Sequence, residues 1–594
     1  MTIRLADQQA KVYLFAKRLS SSGKAVYPVR GQRGRVALIG DDGTMPDSLT
    51  VRRVLGDHPF AEIGTPSAVA ISQERGIAVV GGDLGWLSWS GSQTAGYAWR
   101  PHRVGVYGTD DLRCLWLVES RWPVHSLAIH PTLPLVAVGT GQYDGEHTFD
   151  GELLLIDLES GRSRSMMRRP REVLKVEWES PLALRLIVAA TDYDDPDELD
   201  SHAYEAIVER PNWSAVPRGS VQQKELDGQW VEFERSFPDQ AARRAVEQLA
   251  GESCWEPRRQ VWDVHGLPDG RVLACLEGVL AEAWLADGRL GWRIPDEEGG
   301  RQLVVRDLDA WVNVARTRES WRGQEPGAEP PLVTRVSLAD GKTLSTLALG
   351  HSVTIAARQD GWLALRSTAP NRQYEPQPQP VALIPPAEGT PQGTTSLGEF
   401  GPRSHSFPIR RSHRLLFLDG KERAPTRDKW VVAVDPDDES VPQRLFPLDW
   451  QSPPRHLFGG PGIEIGPPES RELVHAGTML AGHSERAFVV RRSLTDGVVR
   501  WEFTAEYPAT AVDGDAETVY VGFNTGELVA LRASDGTVRW RQHLKIGDQR
   551  VVPLSLELVD PGQLLIGTVD GRILDCSVWP VVDHGTEEAH SQRA

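Results

Sequence analysis

One short motif occurs four times in this chain and constrains its fold more than any other feature. An Asp-Gly pair stands between two short apolar segments at Asp287-Gly288, Asp340-Gly341, Asp496-Gly497 and Asp535-Gly536. Such a pair favours a tight hairpin turn, because glycine adopts positive φ without steric cost. Hairpins repeated along one chain predict stacked, similar β units, and a spacing of about 40–50 residues is typical of propeller blades.

The composition and net charge indicate which kinds of macromolecule this chain is suited to bind. The 594 residues carry a net charge of −17, with 82 acidic against 65 basic residues, and include 20 Trp. An acidic chain argues against nucleic acid as the main partner, because phosphate binding needs clustered Lys and Arg. We expect Arg164, Arg168, Arg169 and Arg171 to form a solvated loop between blades. The Trp side chains are expected to pack between blades, each burying about 200 Å².

The chain shows no targeting or membrane-spanning pattern. Its N-terminus lacks an apolar region followed by small residues, and no run of 18 apolar residues occurs. The four Cys are far apart, and we interpret them as small apolar residues and not as disulfides or metal ligands. The sequence therefore predicts a soluble cytoplasmic protein without a membrane partner.

Two parts of the sequence resemble known propeller repeats. Residues 124–131 and 135–139 resemble the first two strands of a WD-repeat blade, although Trp262-Asp263 begins a unit where that family's Trp-Asp pair closes a strand. Residues 519–540 resemble the pyrroloquinoline-quinone-type repeat, and residues 564–574 restart its pattern. In that family the Trp docks one blade on the next, so the resemblance implies a fold and not an activity.

The expected architecture is an all-β propeller of about eight four-stranded blades over residues 61–580, and two smaller propellers would also fit. Residues 1–60 form an N-terminal segment, in which residues 11–16 are a candidate for the strand that closes the ring. Long insertions fall at 192–257 and 366–412, and residues 581–594 are expected to be a disordered tail. Closing the ring removes a sheet edge that would otherwise promote aggregation.

The insertions differ in character. Residues 192–232 begin with an acidic run and have no clear period, whereas residues 238–251 have apolar residues at helical spacing, with Asp239 as a cap and Gly251 as a stop. Residues 370–408 contain nine Pro and are predicted to be an extended, partly disordered loop.

Motifs for catalysis or cofactor binding fail at individual positions. Quinone-dependent enzymes of the resembling family are exported and often pair adjacent Cys, and neither feature is present. The acidic runs at 192–202 and 144–150 are interpreted as solvated loops, since Pro196 and Asp197 stand where an EF-hand requires a ligand and Gly. We therefore predict no catalytic residue, no metal site and no cofactor.

The preferred interpretation is a non-catalytic scaffold that binds other proteins in a prokaryotic multi-component system. Rigid rings with long insertions present broad surfaces on which insertions supply specificity. Aromatic side chains in the first insertion and an extended Pro-rich stretch in the other are typical of such contacts. The predicted interaction residues are Tyr193, Tyr204, Trp213, Pro376, Pro378 and Pro380.

The alternative is an enzyme, or a propeller that binds a small ligand or a metal ion at its central channel. This hypothesis requires acids, His or Arg to converge at the ends of the first strands. The candidates are His125, His130, Asp263, His265 and Arg358. A polar pocket with strongly perturbed carboxylates at that place would favour it.

Overall fold

The computed structural model divides the chain into two compact units. The first unit contains the described residues between 58 and 86 and between 100 and 258, and the second contains those between 40 and 57, between 87 and 99, and from 259 onwards. The structure describes residues 49–85, 88–89, 92–93, 101–143, 149–190, 202–234, 240–251, 255–314, 332–349, 353–367, 378–386, 388–399, 409–419, 429–437, 442–448, 456–481 and 484–578.

Three antiparallel four-stranded sheets make up the described part of the first unit. Their strands, numbered in chain order over both units, are β2 (Thr65–Ser72), β3 (Ile77–Asp83), β6 (His102–Gly108) and β7 (Cys114–Ser120) in sheet 1; β8 (Val124–Ile129), β9 (Leu135–Tyr143), β10 (Phe149–Asp157) and β11 (Ser163–Ser165) in sheet 2; and β12 (Val173–Trp178), β13 (Ala183–Ala189), β14 (His202–Glu209) and β15 (Gln229–Glu232) in sheet 3. The helices are α1 (Gln223–Leu226), α2 (Gln240–Ala250) and the 3₁₀ turns Ala61–Ile63 and Trp213–Ala215.

Seven larger sheets make up the described part of the second unit. Sheet 4 contains β16 (Arg259–Gly266), β17 (Val272–Glu277), β18 (Val279–Trp284) and β19 (Leu290–Pro295); sheet 5 contains β20 (Gly300–Arg306), β21 (Asp309–Val314), β22 (Leu332–Ser337) and β23 (Thr343–Ala348); sheet 6 contains β24 (Val353–Ala357), β25 (Leu363–Ser367), β26 (Pro378–Ile384) and β27 (Gly393–Glu399); and sheet 7 contains β29 (Leu415–Asp419), β30 (Trp430–Val434) and β31 (Gln443–Pro447).

The remaining sheets of this unit follow in sequence. Sheet 8 contains β28 (Ile409–Arg410), β32 (His456–Ile465), β33 (Glu472–Ala481), β34 (Ser484–Ser493) and β35 (Val499–Ala505); sheet 9 contains β36 (Ala509–Gly514), β37 (Thr518–Phe523), β38 (Glu527–Arg532) and β39 (Val538–His543); and sheet 10 contains β42 (Pro553–Asp560), β43 (Gln563–Thr568), β44 (Ile573–Val578) and β1 (Leu49–Leu55). Two small hairpins, β4 (Ser88–Trp89) with β5 (Ser92–Gln93) and β40 (Lys545–Ile546) with β41 (Gln549–Arg550), and the 3₁₀ turn Pro468–Ser470 complete the elements.

The fourth strand of sheet 10 comes from the other end of the chain. β1 pairs antiparallel with β44, from Leu49 opposite Val578 to Leu55 opposite Ile573. The Arg53 guanidinium also contacts the Asp575 carboxylate at 2.8 Å. The sequence predicts that a strand within residues 1–60 pairs with the last sheet and closes the ring. The strand that pairs there is β1, while the candidate at residues 11–16 lies outside the described residues.

The four Asp-Gly hairpins are confirmed. Each links the third strand of its sheet to the fourth, if the strands of sheet 8 are counted from β32, and its glycine has a φ between +71° and +88°. In each turn the aspartate accepts a hydrogen bond from the N–H two residues later, at 2.9 Å between Asp535 and Thr537. Glycine is needed here because L residues with a side chain rarely adopt this conformation.

A bulky ring from the fourth strand of one sheet packs on the turn glycine of the next sheet. A Cβ placed on Gly536 in sheet 9 would lie 2.7 Å from the ring of Trp501 in sheet 8. The same arrangement joins Trp292 of sheet 4 to Gly341 of sheet 5. The Trp501 indole N–H also donates to the Ala533 carbonyl at 2.7 Å. The expected packing of Trp side chains between neighbouring sheets is therefore present at these contacts.

Side chains on the first strands also join neighbouring sheets. In each case a side-chain oxygen on one first strand accepts a hydrogen bond from a backbone N–H on the first strand of the next sheet. A first strand is paired within its sheet on one side only, so its outward N–H groups need such acceptors. The acceptor and donor pairs are Ser126 and Val176 in the first unit, and Asp263 and Leu303, Gln302 and Ile355, Asp513 and Leu558, and Glu557 and Gly266 in the second.

Sequence reasoning placed the insertions only in part. The predicted helix is confirmed as α2, which ends at Gly251 with a φ of +68°. Residues 192–232, predicted to lack a period, instead supply β14 and β15. The Pro-rich stretch, predicted to be a loop, supplies β26 and β27. β25 pairs with residues 381–384 only, so the prolines at the start of β26 do not interrupt that ladder.

Candidate functional site

A groove crosses the first strands of the three sheets in the first unit. Its volume is about 420 Å³, and its lining residues all have apolar side chains except Glu177. β2, β8 and β12 are each the edge of their sheet, so backbone groups border the groove beside these side chains. The lining residues are Ala70, Ile71, Leu127, Ala128, Ile129, Pro131, Val176, Glu177 and Trp178.

Aromatic contacts hold one wall of the groove in place. The Trp178 indole N–H donates to the Ala128 carbonyl at 3.0 Å, and its ring meets the His130 ring at 4.4 Å. His130 accepts the N–H of Leu133 through Nδ1 and donates to the Pro181 carbonyl through Nε2. Burial lowers the pKa of His130, which therefore acts as a neutral structural residue.

The opposite wall is more exposed. The Ile71 side chain is 42% accessible, and Leu127 and Ile129 are half-buried. Glu177 at the rim pairs with Arg185 at 3.3 Å and with Lys175 at 3.5 Å. A groove that combines rigid and accessible apolar side chains with a charged rim suits a protein segment.

Two predicted interaction residues lie elsewhere in the first unit. Tyr204 on β14 is half-buried under the Arg171 guanidinium and touches the ring of Trp230. Trp213 is fully buried, and its indole N–H donates to the Leu182 carbonyl at 3.0 Å. Trp213 is therefore a core residue, and a partner could not reach its ring without disrupting the 3₁₀ turn that carries it.

The remaining predicted contacts fall in or beside β26. Pro378 and Pro380 belong to that strand, opposite Glu399 and Ser396 of β27. They are thus part of a sheet and not of a free peptide. Tyr193 and Pro376 lie outside the described residues, as does most of each acidic run that was considered for metal binding.

Charged side chains converge on the first strands of the second unit, and this group is called the inner-edge cluster. His265 Nδ1 lies 2.6 Å from a carboxylate oxygen of Glu557. Arg410 lies 3.5 Å from Asp263 and 3.8 Å from Glu557. The cluster comprises Asp263, His265, Arg410, Arg411, Asp513 and Glu557.

The pKa values of the two carboxylates beside Arg410 are shifted in opposite directions. Burial raises the pKa of Asp263, despite the nearby Arg410 charge and the hydrogen bond from Leu303. Burial also acts to raise the pKa of Glu557, but the hydrogen bond and charge of His265, with the charge of Arg410, outweigh it and lower the value. Both carboxylates nevertheless accept backbone N–H groups of adjacent strands, which gives each a structural role.

The other residues proposed for a channel site serve as local links. His125 Nε2 lies 3.0 Å from a Glu172 oxygen. Arg358, just after β24 of sheet 6, lies 3.0 Å from Asp437 and 3.3 Å from Asp435, which follow β30 of sheet 7. Of the five sequence candidates, the structure therefore brings together Asp263 and His265.

Sequence reasoning missed four members of the cluster. Asp513 and Glu557 stand between apolar residues within first strands, and this placement of a charge in an otherwise apolar strand was an available signal. Arg410 and Arg411 fell inside the segment assigned to an insertion, so no pattern placed them near the first strands. Their contacts depend on long-range packing and not on local periodicity.

No protein-family model matches this chain, and no curated protein matches it. The resemblance to two propeller repeats therefore rests on the repeat motifs themselves. Among the described residues, no three or more His, Cys, Asp or Glu side chains are grouped so as to hold a metal ion. No described helix has the length and apolar character needed to cross a membrane.

Proposed function

We propose that the second unit is a seven-bladed propeller closed by β1. Its support is the order of neighbouring sheets, which follows the chain from sheet 4 to sheet 10. Glu557 of sheet 10 then bonds the first strand of sheet 4, and Arg53 of β1 donates to the Ala286 carbonyl at 2.6 Å. The last sheet is thereby joined to the first, as a ring requires.

We infer that the protein is a scaffold that binds another protein, and that the groove of the first unit is its contact site. The observation that carries this proposal is the 420 Å³ groove itself, whose lining side chains are mostly apolar and include the accessible side chain of Ile71. A partner segment in extended conformation would bury apolar side chains there and meet the backbone of the edge strands. Its place in a prokaryotic multi-component system stays a prediction.

The test compares three purified forms of the full chain. Tagged wild type is recovered gently from its host, and any partner present in stoichiometric amount is identified and purified. Ile71→Asp places a charge at the accessible apolar side chain of the groove and should abolish binding of that partner. Leu308→Asp is the matched control, because Leu308 is 83% exposed in the second unit.

The expected result is loss of binding in the groove variant, with no change in melting temperature, and full binding in the control. Recovery of the wild type without a partner, or equal binding by all three forms, would contradict the proposal. Circular dichroism on each form separates loss of binding from loss of fold.

A further inference from the structure

Among the described residues, sheet 7 has three strands, and its β29 stands in the position that the second strand takes in the neighbouring sheets. A Cβ on Gly497 of sheet 8 would lie 2.5 Å from the ring of Phe446 on β31, just as Trp292 and Trp501 on fourth strands meet the turns of their neighbours. β31 therefore takes the fourth position and β29 the second. In the described part of the chain, no strand of sheet 7 stands in the first position.

The segment that should supply this first strand is placed in another sheet. β28 directly precedes β29 in the chain, yet it pairs in parallel with β32 of sheet 8, with Ile409 opposite Gly462. We call residues 409–414 the strap. Ile409 is buried beside Leu416 in an apolar core, which anchors the start of the strap.

Arg410 of the strap reaches the first strands of sheets 4 and 10. Its Nη1 donates to the Leu556 carbonyl at 2.5 Å, and its Nη2 lies 3.4 Å from the Val264 carbonyl. The carboxylates of Asp263 and Glu557 flank the same guanidinium. These carboxylates hold Arg410 in its charged form, because they raise its pKa although burial acts to lower it.

Arg411 makes a two-pronged contact with sheet 9. Its Nε and Nη2 donate to the two carboxylate oxygens of Asp513 at 3.1 and 3.0 Å, and Nη2 also donates to the Leu558 carbonyl. The backbone of Arg411 has a φ of +54°, a left-handed conformation that costs a residue with a side chain free energy. The surrounding contacts of Arg411 must therefore offset this strain.

The receiving groups match a guanidinium and not an ammonium ion. A planar fork donates to a carboxylate through two parallel bonds while its remaining N–H groups reach carbonyls, which a lysine cannot reproduce. Leu556 and Leu558 are two residues apart on β42, so their carbonyls face the same side and accept from adjacent arginines. The arrangement is a binding site that the strap fills.

We propose that the strap is an internal ligand, and that an arginine-bearing segment of a partner protein can take its place on the inner-edge cluster. Two observations support exchange: β28 of the strap pairs with sheet 8 and not with sheet 7, and the Arg411 backbone is strained. A segment that presents two arginines without that strain would compete with it. This site belongs to the second unit and does not depend on the proposed groove of the first.

The test removes the internal ligand and supplies a substitute. Arg410→Ala combined with Arg411→Ala should lower the melting temperature of the full chain. Millimolar Arg-Arg amide should then raise it by several degrees, while Lys-Lys amide at the same concentration should not, since binding of a ligand to the native state stabilises that state. Arg358→Ala is the control, because Arg358 pairs with Asp435 and Asp437, which are both largely exposed.

Direct binding supplies a second readout. A fluorescent Arg-Arg peptide should bind the double variant at least about tenfold more tightly than the wild type, in which the strap competes. Adding Asp513→Asn should abolish that binding. If the double variant does not fold, the same comparisons are made on Arg411→Lys, which keeps Arg410 and the charge but loses the fork.

The proposal is overturned if the folded variant binds Arg-Arg no better than Lys-Lys. It is also overturned if wild type and variant bind the peptide equally, because the strap would then not occupy the site. Rescue of Arg358→Ala to the same degree would identify a non-specific effect of the peptide and would equally reject the proposal.

Discussion

Glu557 accepts a hydrogen bond from the backbone N–H of Gly266, although the two residues are 291 positions apart. The bond joins the first strand of sheet 10 to the first strand of sheet 4. Asp513, Asp263 and Gln302 make the equivalent bond to the next sheet in turn. Polar side chains in otherwise apolar first strands thus connect the sheets through the backbone.

A buried asparagine on the second strand of sheet 5 also connects two sheets, and removing it should cost more stability than removing an exposed asparagine. Buried Asn313 donates to Gln302 and to the Val353 carbonyl, and it accepts the Gln302 N–H. Asn313→Ala should lower the free energy of unfolding by about 3 kcal/mol, because several buried groups lose their partners. Urea denaturation would measure the change. Asn212→Ala, which removes one exposed bond to the Ser214 N–H, should cost about 1 kcal/mol.

A methyl group at the Asp-Gly turn should disrupt the contact between two sheets. Gly536→Ala forces a Cβ within 2.7 Å of the Trp501 ring at a φ of +73°. The clash and the backbone strain together should lower stability by about 3 kcal/mol. Gly547→Ala is matched to it, since Gly547 has a φ of +57° but no atom within 4 Å of the added Cβ. Equal thermal shifts for both variants would rule out a packing role for Trp501.

β1 should stabilise the second unit as strongly as a core strand does. Leu55 is 2% exposed and packs against Val261, Leu565 and Ile573. Leu55→Ala should therefore cost about 3 kcal/mol in a denaturant titration. Leu308→Ala, at an 83% exposed side chain, should change stability by less than about 0.5 kcal/mol. A small effect at Leu55 would mean that β1 is peripheral.

One buried histidine should make the protein less stable in mild acid. Burial, reinforced by the Arg492 charge, lowers the pKa of His475 from 6.5 to about 3. Between about pH 6.5 and about pH 3, His475 is protonated in the unfolded chain but neutral in the native state. The stability that neutral His475 contributes is therefore fully present above pH 6.5 and decreases as the pH falls towards 3.

The measurement is a set of urea titrations between about pH 7.5 and about pH 5. Over that range His475→Leu should lose about 2 kcal/mol less stability than the wild type, because leucine removes the titration and keeps the apolar packing. Parallel curves for the two proteins would show that His475 does not carry the dependence.

The repeat architecture could be predicted where local chemistry sets the structure. The Asp287-Gly288 and Asp535-Gly536 turns were predictable because glycine and aspartate determine the turn within four residues. The helix Gln240–Ala250 was predictable from its spacing and from Gly251. The strands at residues 378–399 were not predictable, because proline usually excludes a strand. β26 can form because β25 pairs only with residues 381–384, which follow the prolines at its start.

The candidate sites were less predictable than the fold. Asp263 and His265 were recognised as polar residues on a first strand, but their partners Glu557 and Arg410 come from parts of the chain that are far away in sequence. The groove is lined by apolar residues of three strands. The sequence does not distinguish an apolar residue that is buried in the core from one that is accessible in a groove. Trp213 was expected at the surface, since an aromatic residue in an acidic insertion gives no sign of the 3₁₀ turn that buries it.

The position of β1 has a consequence for the order in which the protein forms during synthesis. β1 leaves the ribosome before every other described strand, yet its partner β44 lies more than 500 residues later, since Leu49 pairs with Val578. The three sheets of the first unit are encoded between them, and each is built from strands that are close in sequence, so they can assemble early. Until β44 is made, the edge of β1 stays unpaired, and any delay in translating the intervening residues would lengthen its exposure to aggregation.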